Sequence, residues 1–252
     1  MNFGTALRQT YAGAWRFLVA IPILAAAIIG AEGLQHVVEW RTGFYASFAG
    51  MKAAGHDPAR MIAGSLKVGW ILLLGYWTAR YIVSWSPKDA MAFDRSAVRK
   101  YAAFFVFSAS LGLLIIFGGD LLHLAGVDRG IAATGMAIFT VATFPISLII
   151  VPWAVGAALG DPRATLKSSF RRAWGSILWG LALMVLAPLP LMAAHYALSY
   201  GAVGRAPWLA ISMLTIDAIL VGFLGVVINA SQVVLAKRMA ERAGETLAIS
   251  PA

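Results

Sequence analysis

Residues 131–160 read IAATGMAIFTVATFPISLIIVPWAVGAALG, thirty residues without a single Asp, Glu, Lys, Arg or His. About 20 helical residues cross a hydrocarbon core about 30 Å thick. A helix that is hydrophobic all round needs a large protein core or a membrane around it. The chain has only 252 residues, 60% of them hydrophobic types and 12% charged, with a mean hydropathy of +0.79. An average soluble domain is about half apolar and about a quarter charged. A bilayer must therefore replace the missing solvated surface.

Five further segments match this one. They run from Phe17 to Trp40, Met61 to Trp85, Tyr101 to Leu124, Trp174 to Tyr200 and Trp208 to Ala236. With Ile131 to Gly160 as the fourth, the sequence predicts an all-α, six-span membrane protein forming a single domain over residues 1–252. The longest loop, about 41–60, is too short for a soluble domain. Pro145 and Pro152 in the fourth span, and Pro188 and Pro190 in the fifth, remove backbone donors and predict kinks. The carbonyls freed there need partners from neighbouring helices. Asp57-Pro58, Ser86-Pro87 and Asp161-Pro162 each offer an N-cap followed by Pro at the first helical position.

Fourteen Lys and Arg residues fall in the two tails and the second and fourth loops, against five in the first, third and fifth loops. Positive residues stay cytoplasmic, which predicts both termini inside a bacterial inner membrane. Arg8 and Arg16 before an apolar run also fit a signal peptide, although the apolar character resumes beyond Glu32. The net charge of +9 lies between apolar runs, so anionic lipid headgroups on the cytoplasmic face are the expected partner and nucleic acid is not. There is no cysteine, hence no disulfide, thiolate metal site or Cys nucleophile.

Two stretches echo each other at an offset of 159. ALRQTYAGAWRFL (6–18) and TLKSSFRRAWGSIL (165–178) align Leu7 with Leu166, Tyr11 with Phe170 and Trp15 with Trp174. Large apolar residues every four positions share one helical face. The pattern predicts short amphipathic helices in the interface before spans one and five. A parallel internal duplication is a second reading of the same echo.

The passage 148–180, LIIVPWAVGAALGDPRATLKSSFRRAWGSILWG, resembles a group of six-helix bacterial membrane proteins. The group includes YciC-like inner-membrane proteins and the membrane domain attached to some glycerophosphodiester phosphodiesterases. The resemblance implies a six-helix inner-membrane protein with no catalytic site in its helices. The phosphodiesterase domain itself is absent. No P-loop, G-x-S-x-G elbow or H-E-x-x-H motif is present. No catalytic residue and no required cofactor is therefore expected. The leading expectation is a non-enzymatic membrane protein supporting envelope homeostasis or the transport of a small molecule or lipid.

Ionisable residues within the spans carry the functional question. Asp217 and Lys67 lie at similar predicted depths, and an unpaired charge there costs at least about 2.5–3.5 kcal/mol. A Lys67–Asp217 pair is one reading. A protonated Asp217 bonded to Ser212, Thr215 or a backbone carbonyl is another, and a proton or cation relay is a third. At the outer rim, Glu32, His36 and Glu39 share one face of span one. Asp120 and His123 share a face of span three, and span five adds His195. Glu32, His36, Asp120 and His123 thus form a candidate site for a transition metal such as Zn²⁺, the basis of the alternative, metal-dependent reading. A structural or pH-sensitive polar cluster, or unconnected rim residues, would give the same pattern.

Overall fold

The computed structural model describes residues 1–250. Twelve α-helices run in order: α1 Phe3–Ala20, α2 Pro22–Arg41, α3 Phe48–Ala53, α4 Pro58–Ser84, α5 Pro87–Met91, α6 Arg95–Leu124, α7 Arg129–Ile149, α8 Val151–Ala158, α9 Leu166–Ala173, α10 Ile177–Leu186, α11 Leu189–Ala202 and α12 Pro207–Arg242. No strand occurs among the described residues. Five helices, counting α10 and α11 together, are long and apolar enough to cross a membrane. They become six when the bent pair α1–α2 counts as one span. The outward faces of these helices carry Leu113, Leu114, Ile138, Val141, Leu178 and Ile219, all exposed. In water such a surface would be one large apolar patch, whereas in lipid it is solvated.

α12 is the central post, half of its apolar stretch buried against α1, α2, α4, α8 and α11. The proline breaks fall where the sequence predicts them. Span four divides at Ile150, and Pro152 opens α8. Ser169 of α9 bridges the gap, donating to the Ile149 carbonyl at 2.6 Å and accepting the Trp153 N–H at 2.8 Å. Span five divides at Ala187 and Pro188, and Tyr11 donates its hydroxyl to the Ala187 carbonyl at 2.6 Å.

Three local expectations need correction. The first span does not start at Phe17; α1 ends at Ala20 and α2 leaves it at 97°. Ile21 precedes Pro22, and the proline ring pushes the preceding residue out of helical geometry. The short helix expected before span one is present as α1, with Trp15 exposed; its other face, Ala6, Thr10, Gly13, Ala14 and Phe17, is buried in the bundle. Asp161-Pro162 opens no helix. The Asp161 carboxylate accepts the Arg163 backbone N–H in a tight turn, and Thr165 caps α9 with Ser168 in a capping box. Finally, Arg80, expected to snorkel to the surface from the cytoplasmic end of span two, does not reach it. It is buried beneath Tyr76, 3.7 Å from Asp94, and bonds the Asp89 and Ala158 carbonyls.

α9 follows the amphipathic expectation. Leu166, Phe170 and Trp174 form an exposed apolar stripe, with the last two rings 5.6 Å apart. Ser169, Arg172 and Ala173 face inward.

Candidate functional site

The acids and the histidine of α2 meet charged and titratable side chains from α4, α11 and α12 in one buried network. α2 supplies Glu32, Gln35, His36 and Glu39, all buried. α4 supplies Arg60 and Lys67. The two helices pack side by side, and the seven-residue step from Glu32 to Glu39 matches the step from Lys67 back to Arg60. Seven residues are two helical turns, so both acids face both cations. Lys67 Nζ lies 2.6 Å from Glu32 Oε2, and Arg60 Nε donates to Glu39 Oε1 at 2.9 Å.

α12 comes close because Gly222 and Gly225 face Ile29 and Ile28, where a methyl group would collide. That approach brings Asp217, fully buried, within 3.1 Å of His36 Nε2. On its other side Asp217 meets His195 Nδ1 of α11 at 2.8 and 2.9 Å. His36 Nδ1 faces Glu39 Oε2 at 3.2 Å and the Tyr45 hydroxyl at 2.9 Å. Tyr45 donates to Glu39 at 2.7 Å, and Gln35 donates to the same carboxylate at 2.9 Å. The loop carrying Tyr45 is pinned by the Gly204 N–H on the Tyr45 carbonyl. Burial, reinforced by the Glu39 charge, raises the pKa of the Tyr45 phenol, so it remains a donor.

The pairing differs from the sequence expectation. Lys67 does not pair with Asp217, because α2 packs against both α4 and α12 and Glu32 takes the lysine. Nor is Asp217 held by Ser212 or Thr215, whose hydroxyls bond the Trp208 and Ile211 carbonyls of their own helix. The four-residue metal set also separates. Glu32 and His36 enter the network, while Asp120 lies on the exposed rim, 3.7 Å from His56, and His123 meets the Val127 carbonyl. The reason is topological: α6 packs against α4, α7 and α8 rather than α2. Arg60 and Tyr45 were not singled out in the sequence. The matched seven-residue steps of opposite charge were the available signal for Arg60, and Tyr45 left none.

Beside the network, α2 and α12 frame an open groove of about 650 Å³. Its walls are apolar, with Val37, Trp40, Ile211 and Ile219 among them, and His36 and Thr215 are its polar members. Arg41, the last residue of α2, stands at one end and makes no ion pair among the described residues.

Compared with protein-family profiles, curated proteins and solved structures, the chain matches none.

Proposed function

We propose that this chain is a non-enzymatic, multi-pass protein of a bacterial inner membrane, both termini cytoplasmic, that takes up a lipid-like amphiphile with an anionic head. The observation that carries this reading is the α2–α12 groove, an apolar channel with a charged network behind one wall. Binding sites for small molecules are mostly apolar clefts with a few converging polar groups. The groove accepts an acyl chain along Val37, Ile211 and Ile219, while Arg41 meets the head. The role this implies is lipid handling or lipid transport in envelope homeostasis.

The test uses purified protein in nanodiscs of zwitterionic lipid, with a trace of a photoactivatable phosphatidylglycerol. Crosslinks should concentrate on residues lining the groove, and Arg41→Ala should reduce them several-fold. Crosslinks spread evenly over all lipid-facing helices, unchanged by Arg41→Ala, would overturn the reading.

A further inference from the structure

Glu32 Oε1, His36 Nε2 and Asp217 Oδ2 converge from two helices, with all three ligand atoms within 4.8 Å of one another. Nε2 is 3.5 Å from the glutamate oxygen and 3.1 Å from the aspartate oxygen. Tetrahedral zinc bound at about 2.0–2.1 Å places neighbouring ligand atoms about 3.3 Å apart. The two edges that meet at His36 thus match such a tetrahedron, and the third lies within 4.8 Å. Glu32 Oε1 is buried and has no hydrogen-bond partner. A buried polar atom left open in this way calls for a partner, and a cation is one that fits beside His36 and Asp217.

The surroundings fit the same centre. A metal-binding histidine usually gives its other ring N–H to a carboxylate, and ligating carboxylates are themselves held by neighbours. His36 Nδ1 faces Glu39, which is fixed in turn by Tyr45, Gln35 and Arg60. The second oxygen of Glu32 lies against Lys67, and Asp217 is oriented by His195. Charge is consistent with the same centre. The network joins the three carboxylates of Glu32, Glu39 and Asp217 to only two permanently cationic side chains, Arg60 and Lys67. Buried charge is costly unless it is compensated, and the third positive charge that completes this balance is supplied either by a protonated imidazole of the network or by a bound cation.

We propose that Glu32, His36 and Asp217 form a binding site for one divalent transition-metal ion of the zinc type, with His195 and Glu39 orienting the ligands. The site lies among α2, α11 and α12 and does not involve Asp120 or His123. This proposal stands apart from the amphiphile reading, since the ion touches the wall of the groove and does not fill it.

The experiment measures metal in the full-length protein, purified in detergent from cells grown with added zinc and dialysed without chelator. The same protein is also prepared with Co²⁺, whose visible absorption reports four-coordination. The wild type should retain about one equivalent of zinc and show the cobalt bands. His36→Gln and Asp217→Asn should lose both, while Asp120→Asn and His123→Gln should retain both. Should the ligand variants fail to fold, Glu39→Gln serves instead and should weaken zinc binding about 10–100-fold. A wild type without stoichiometric metal, or metal retained by every folded variant of the network, overturns the proposal.

Discussion

Lys67 of α4 reaches across to Glu32 of α2 and holds its carboxylate at 2.6 Å, with Glu32 almost wholly shielded from solvent. Removing one partner of a buried pair costs about 3–5 kcal/mol, whereas replacing both is often close to neutral. Lys67→Met should therefore lower the melting temperature in detergent substantially, and Lys67→Met with Glu32→Gln should recover much of the loss. If the two single losses simply add, the pair carries no coupling.

Tyr45 donates to Glu39 from a loop, so its hydroxyl tests whether that loop helps to hold the network. Tyr45→Phe leaves a buried carboxylate oxygen one donor short, at a cost of about 1–3 kcal/mol. The expected result is a lower melting temperature together with faster hydrogen exchange in residues 42–47. Unchanged exchange there would mean that the Gly204 bond alone fixes the loop.

Gly75 faces the Tyr101 hydroxyl and the Asn229 side-chain oxygen, and a methyl there would sit 2.5 and 2.8 Å from them. The Tyr101 hydroxyl donates to the Leu72 carbonyl and the Asn229 side-chain N–H to the Ile71 carbonyl, joining α6 and α12 to α4. Gly75→Ala should destabilise by about 1–3 kcal/mol through overpacking. Gly69 on the same helix has nothing within 4 Å of an added methyl, and Gly69→Ala should be neutral or mildly stabilising. Equal melting temperatures for the two variants would contradict the packing described.

Asp161 gives the expected pH dependence outside the spans. Burial alone would raise its pKa, but the Arg163 backbone and side-chain N–H groups, with Arg172 nearby, outweigh burial and hold it below the usual carboxylate range. A lowered carboxyl contributes stability that is complete above the unfolded pKa and is lost as pH falls through the folded one. The Arg163 amide should thus be protected from exchange at neutral pH and lose protection in acid, after correction for intrinsic exchange. Asp161→Asn should flatten that profile.

The stripe on α9 makes a prediction about depth. Spin labels at Leu166 and Phe170 should be relaxed by oxygen dissolved in lipid, and a label at Ser168 by a water-soluble reagent. Equal water accessibility at the three positions would remove α9 from the interface.

How much of this was legible in the sequence depended on whether the signal was local. Thirty uncharged residues fix a membrane helix by themselves, and Pro152 and Pro188 mark breaks without reference to other helices. The face shared by Glu32, His36 and Glu39 follows from helical period alone. Partner choice does not. Depth along an axis placed Lys67 level with Asp217, but lateral neighbours decide which acid a lysine meets, and Glu32 of α2 takes it. Asp120 and His123 failed for the same reason: a shared depth does not make α2 and α6 neighbours. The amphipathic pattern of 6–18 marks a separate helix before span one, but the apolar run from Phe17 placed its end too early, whereas Pro22 sets the bend at Ile21.

Tyr11 and the Ala187 carbonyl lie 176 residues apart, and Arg238 bonds the carbonyl of Met1. α1 therefore completes this hydrogen bond only once span five, far along the chain, has been threaded. Until that happens, the open carbonyl at the break in span five faces lipid or a passing insertase. α1 behaves as a latch on the break in span five, one that closes only after that span is in place.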